Sequence, residues 1–180
     1  MILAGVDTET TGIKYGDHRF VEVYVGLYDS ATRTRLFAYE TRINPERSIQ
    51  AEAERIHKIS AADVAGSPTW QAVAPVVHKA LSKADLIIGH NLVGFDMPFI
   101  NYELKRIGLP EIIKPMFDTM QEGRWGTAHG KVPNLGELCF ACGVEYDTTK
   151  AHAANFDVDV MMQCYFHGIE HGFFKHKTGD

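Results

Sequence analysis

The order of patterned segments constrains this chain most. Residues 2–8 form a short apolar run ending in polar residues, and residues 20–28 and 36–43 alternate with β-branched and aromatic side chains. Three strands in succession are expected. Then the period changes. Ser60-Ala61-Ala62-Asp63 has the form of a capping box opening a short helix, and Thr69 stands where it can cap a helix over 70–82. A strand at 85–88 follows; residues 95–107 carry helical periodicity and stop at Gly108-Leu109-Pro110. Residues 116–119 read as a last short strand, and 135–142 and 153–171 as helices. This order predicts an α/β fold with a central five-stranded mixed sheet and helices on its faces.

The chain has 180 residues, of which 45% are hydrophobic and 11% aromatic, enough to bury a core, so one domain over 1–180 is expected. Eighteen Lys+Arg against 23 Asp+Glu give a net charge of −5, which disfavours a protein that coats long duplexes by counterion release. Strand ends held through divalent cations remain possible, because the metal supplies the missing positive charge. The first ten residues carry Asp7 and Glu9 inside what would be the apolar part of a signal peptide, and every apolar stretch falls far short of the ~20 residues that cross a bilayer. Cys139, Cys142 and Cys164 leave one thiol unpaired under any disulfide scheme. A cytoplasmic protein with no membrane association is expected.

Alternate residues of a strand share a face, so Asp7 and Glu9 point together. Such a pair is stable in its doubly charged form only around a cation, and hard oxygen ligands select Mg²⁺ or Mn²⁺ over zinc. On its own the triplet is equally a polar strand end. Gly89-His90-Asn91-Leu92-Val93-Gly94-Phe95-Asp96 runs from a strand end through a turn to a helix start, where Asp96 alone would be a cap. Ala151-His152-Ala153-Ala154-Asn155-Phe156-Asp157 puts a histidine in a loop five residues before an aspartate in the first helical turns. Asn155 and Asp159 read as ordinary first-turn polar residues.

Together, and in this order, Asp7-Thr8-Glu9-Thr10, the His90-Asn91 to Phe95-Asp96 segment and His152 to Asp157 resemble the DEDDh branch of the DnaQ-like 3′–5′ exonucleases, a family that includes proofreading subunits of bacterial replicative polymerases. The resemblance runs from residue 2 to about 171. Ile43-Asn44-Pro45 through Ile56-His57-Lys58-Ile59-Ser60 is similar too, with Lys58 where the family usually has glycine. It implies a ribonuclease H-like fold, and two divalent ions, Mg²⁺ or Mn²⁺, held by Asp7, Glu9, Asp96 and Asp157. His152 would be the general base. Thr10, Thr11 and Gly12 would contact the terminal nucleotide, with backbone amides near its 3′ hydroxyl. His57 and Asn91 would lie on the substrate side, and Phe95 and Phe99 would flank a base or pack in the core. Asp118 matches a common family position and reads as structural support. The implied partner is a nucleic acid 3′ end, DNA before RNA, with a polymerase or replication protein as a possible further partner. About nine residues follow His171, so a freestanding enzyme is expected. A catalytically silent end-binding module is the rival from another class.

The chemistry agrees with those residue types. Two metals ~4 Å apart activate water and stabilise the leaving oxygen of an in-line displacement, and a histidine with pKa near ~6.5 can take the water proton at neutral pH. Of the other histidines, His18, His78, His129 and His176 are expected in solvent or loops, and His90 in a structural place. Cys139 and Cys142 with His167 and His171 imitate zinc ligands, but the gap exceeds finger spacing, so packing is expected. Val158, Met161, Met162, Tyr165 and Ile169 have helical spacing and read as core. Residues 123–133, with Arg124, His129 and Lys131, read as an irregular loop, a candidate lid or substrate contact.

Overall fold

The computed structural model describes residues 1–175; His176, expected in solvent, lies outside them. Strands β1 (Ile2–Thr10), β2 (Phe20–Asp29), β3 (Arg35–Arg42), β4 (Leu86–Gly89) and β5 (Met116–Asp118) form one sheet in the order β3-β2-β1-β4-β5. The first three are antiparallel neighbours, and β4 and β5 run parallel to β1. The carboxyl ends of β1 and β4 therefore lie side by side at one edge, where ligands of open α/β sheets bind.

Period two divides β1 between two cores. Ala4 and Val6 pack with α3 (Trp70–Lys83) and α4 (Met97–Arg106); Leu3 packs with α6 (Leu135–Cys142) and α7 (Ala154–Glu170). Gly5 faces α7 so closely that a Cβ there would come within 2.8 Å of Val158. Asp7 and Glu9 continue that face, toward the helix that carries Asp157.

Three short helices complete the chain: α1 (Ala51–His57), α2 (Ala61–Val64) and α5 (Thr119–Glu122). The Ser60–Asp63 capping box forms as expected, whereas Thr69 precedes α3 without a side-chain cap bond. The helix expected over 95–107 begins instead with a π-helical turn, Leu92–Asp96. Residues 123–133 are not irregular throughout; Gly123–Gly126 and Ala128–Gly130 are 3-10 turns. Among the described residues no helix is long and apolar enough to cross a membrane.

Candidate active site

Asp7 and Glu9 leave the end of β1 toward α7. Asp96 arrives from the turn after β4, is 2% exposed, and accepts the Thr8 hydroxyl at 2.7 Å instead of capping a helix. The turn is itself fixed by Asp118, whose carboxylate accepts the amides of Asn91 (3.1 Å) and Val93 (3.0 Å). Asp118 also takes the amides of Met120 and Gln121 at the start of α5. It supports the site, as its sequence position suggested.

Asp157 lies in the first turn of α7. One oxygen accepts the His152 amide at 3.0 Å; the other, Oδ1, is buried without a hydrogen-bond partner. His152 sits just before the helix, exposed, with φ 65°.

A fifth carboxylate completes the cluster. Glu22 pairs with Glu9 across β1 and β2, is 8% exposed, accepts the Ala154 amide at 3.4 Å and lies 3.7 Å from Arg42 Nε. Nothing in the sequence near Glu22 marks it. The signal is its register opposite Glu9, which needs the β1–β2 pairing.

Crowding of these groups disfavours their charged forms. Burial, then Asp96, Glu9 and Asp157, hold the Asp7 carboxyl well above the usual range. Burial, with Glu22 next, pushes Glu9 to about 9. Burial raises Asp96 to about 7 against the opposing Thr8 hydrogen bond. Asp157 is raised by burial, with the His152 amide opposing, and Glu22 is raised by burial, with the Ala154 amide opposing. A site of oxygen ligands only, whose protons are held first by burial and then by mutual repulsion, and which includes an orphaned buried oxygen, has the chemistry of a hard divalent cation site. Among the described residues no three His, Cys, Asp or Glu side chains already converge on a common point, so closing on an ion takes side-chain rotation.

Two chambers flank the cluster. One, of about 690 Å³, is lined by Asp7, Asp157, His152, His90 and Tyr146. The other, of about 340 Å³, is lined by Glu9, Gly12, Ile13, Ile56, His57 and Phe95. Ile13, 85% exposed, and Ile56 were not singled out from sequence; an apolar residue in solvent is recognisable only once the cleft exists.

Of the expected substrate contacts, Thr10, Gly12, His57 and Phe95 line the second chamber, and Phe99 does not. Phe99 is wholly buried against Phe20, at 4.9 Å between ring centroids, so it cannot reach a base; half-buried Phe95 packs on it and still lines the chamber. The Thr11 amide donates to Arg19 O, and its hydroxyl shares a hydrogen bond with His18 Nδ1 while accepting the Arg19 amide. Thr10 donates its hydroxyl to Gly12 O. Thr11, wholly buried, shapes the turn from within, whereas Thr10 also lines the chamber with Gly12, which is packed so tightly that a Cβ would meet Gln50 and His18 at 2.5 Å. His57 accepts the Ile59 amide at Nδ1 and so donates Nε2–H to Thr10 O, leaving only its ring to line the chamber. Asn91 is a turn residue with φ 70°.

Outside the cleft, His18 is buried rather than in solvent; His90 is structural as expected, bonded to Thr119 and Pro133. His129 is exposed and His78 half-buried. Asn155 and Asp159 do more than start a helix, because Asn155 donates to Glu40, and Asp159 pairs with Arg35 and accepts from Tyr28. The three thiols meet in the core between α6 and α7, with Cys139 and Cys164 Sγ at 3.6 Å, while His167 stacks on His171.

The family model RNase_T, described as exonuclease, matches residues 5–165. A DNA polymerase III subunit epsilon from Rickettsia felis is 32% identical over 167 residues, covering 89% of this chain and 70% of the relative. Among solved structures, E. coli exonuclease I in complex with a dT13 oligonucleotide has a TM-score of 0.80 at 18% identity, covering 93% of this chain and 40% of that one. Exonuclease X in complex with 5′ overhanging duplex DNA has a TM-score of 0.70 at 22% identity, covering 96% and 94%. The chain spans about two thirds of the length of the curated relatives it matches. Sheet order, acidic strand ends and these likenesses agree: the chain belongs to the exonuclease family, and its fold is that of a DnaQ-like, ribonuclease H-like 3′–5′ exonuclease domain.

Proposed function

We propose that this chain, as a single domain, removes nucleoside 5′-monophosphates from the 3′ end of single-stranded or frayed DNA. The observation that carries the reading is the electrostatic proximity of Asp7 to Asp96, Glu9 and Asp157, with the Asp157 Oδ1 orphan, beside exposed His152. Asp7, Glu9, Asp96 and Asp157 would hold two Mg²⁺ or Mn²⁺ ions, which supply positive charge for phosphoryl transfer when bound. The terminal nucleoside enters the chamber walled by Ile13, Ile56 and Phe95, whose apolar surfaces suit the face of a base. His152, on the opposite wall, takes the proton of the attacking water and passes it to solvent, to which its ring is open. The Asp157 carboxylate fixes the backbone of that histidine through the His152 amide, so metal site and base share one anchor. DNA is favoured over RNA by the relatives' names, and a polymerase or other replication protein is the partner those names support.

Purified protein incubated with 3′- and 5′-labelled DNA and RNA oligomers, with and without Mg²⁺, tests this. Mononucleotide release from DNA 3′ ends only with metal is expected. Faster release from RNA would make it an exoribonuclease, and binding without cleavage a silent module.

A further inference from the structure

On the far side of the Thr10–Gly12 turn, a pocket of about 310 Å³ is lined by Arg19, Arg47, Arg106, Trp70 and Glu46. Its size is at the low end of the ~300–1,000 Å³ typical of ligand pockets. We propose that it binds a phosphate group.

Three guanidiniums surround it in a chain whose net charge is −5. Two of them share one carboxylate. Glu103, 0% exposed, accepts Arg106 Nε at 3.0 and 3.1 Å and Nη2 at 2.7 Å, and lies 3.6 Å from Arg19 Nη1. Among the described residues Arg47, which is exposed, makes no hydrogen bond or ion pair. With Glu46 counted, three positive charges face two negative ones, an excess of one. The second observation is Trp70, 4% exposed, whose indole N–H is buried without a partner. The unmet groups are thus donors, on two different elements: Arg47 on the segment after β3 and the Trp70 indole N–H at the start of α3. A group offering only acceptors, in several directions, answers them; a phosphate does so, and Arg binds it through a planar fork of donors.

The pocket is tied to the catalytic side. The Thr11 amide donates to Arg19 O, and the segment from Arg47 leads to Gln50, whose amide donates to Thr11 O. The phosphate is therefore either a backbone phosphate of the strand being shortened or a free phosphate such as a nucleotide product; the first source rests on the proposed function.

Titration of the metal-free protein with inorganic phosphate, followed by the indole N–H resonances of its two tryptophans, tests the site directly. The Trp70 signal should move saturably across about the millimolar range, and Trp125, also buried without an indole partner, should not. R47E, which breaks no hydrogen bond or ion pair, should weaken the response at least roughly tenfold. A Trp70 signal that stays still, or moves equally with chloride at matched ionic strength, overturns the proposal. Cleavage assays then separate the sources. If R47E raises KM for a decamer but not for a dinucleotide, with kcat unchanged and the salt slope reduced by about one, the phosphate belongs to the strand. Unchanged KM for both in R47E, with the saturable Trp70 response of the unsubstituted protein, assigns the pocket to free phosphate. Absence of any cleavage would sink the proposed function while leaving the phosphate titration to decide this site.

Discussion

The floor and the rim of the cleft are built in opposite ways. The floor is carboxylate on restrained backbone: Asp7 in the middle strand of the sheet, and Asp96 held by Thr8 on a turn pinned through Asp118. The rim is His152, exposed, in left-handed backbone, joined to the floor by one hydrogen bond from its amide to Asp157. Like charges must be forced together, so they need rigid supports; a group that takes and sheds protons needs water and some freedom.

Breaking the floor should have the largest effect. D7N is expected to lower turnover by roughly four or more powers of ten while leaving the protein folded. It should also stabilise the metal-free protein. In the folded state Glu9 titrates near 9 and Asp96 near 7, and Asp7 is raised as well, whereas in the unfolded chain all three titrate near ~4. Between those limits the unfolded state holds fewer protons, so stability falls as pH rises from ~4 through 7 toward 9. Thermal unfolding in chelator across that range should show the decline, D7N should flatten it, and Mg²⁺ should raise Tm most at the alkaline end. A Tm independent of pH would contradict the crowded floor.

Removing the rim should affect chemistry without affecting assembly. H152A is expected to lose roughly two to four powers of ten in turnover, the usual contribution of a positioned base, with metal and substrate binding nearly intact. H129A, at an exposed position on a 3-10 turn, is the control. Equal losses in the two variants would remove His152 from its role.

Floor and rim were not equally legible in the sequence. Strand periodicity places β1 to β5 to within about two residues, and α6 matches at both ends because its apolar spacing is local. The acidic pair needs only the two-residue repeat of a strand. Helix α1 has no such pattern: Ala51, Glu52, Arg55 and Ile56 are all exposed, so helix propensity and buried His57, hydrogen-bonded to Thr10 O, sustain it. The turns were harder still. Thr11 and His57 read as substrate-side residues and His18 as a solvent or loop residue, and the bonds among Thr11, His18 and Arg19, and between His57 and Thr10, appear only in the folded chain.

Glu22 links the two regions, and E22Q sharpens the comparison at intermediate size. Its carboxylate repels Glu9 on the floor and receives the amide of Ala154, two residues after His152. The amide variant keeps the shape, removes the repulsion and leaves Arg42 with Asp63, at 4.0 Å, as its charge partner. Metal affinity or turnover is expected to fall roughly 10–100-fold, as for groups that orient metal ligands, while metal-free stability at alkaline pH rises. Calorimetric metal titration beside kcat would show it; unchanged affinity and rate would make Glu22 a packing residue only.

The smallest effect separates backbone strain from chemistry. Lys58 and His152 both adopt left-handed backbone, φ 61° and 65°. Lys58 closes α1 by donating its amide to Glu54 O at 2.8 Å, the position where helices favour glycine, and its side chain is exposed. K58G should relieve the left-handed penalty of a residue with a Cβ, offset in part by the greater freedom of glycine in the unfolded chain. The net gain should be about 0.5–1 kcal/mol by denaturant titration, with kcat and KM unchanged. H152G should gain similar stability and lose turnover as H152A does, because there the same backbone carries the reacting ring. If K58G instead slows turnover tenfold, or destabilises the fold, then the Lys58 side chain acts on the substrate strand and the rim extends along α1.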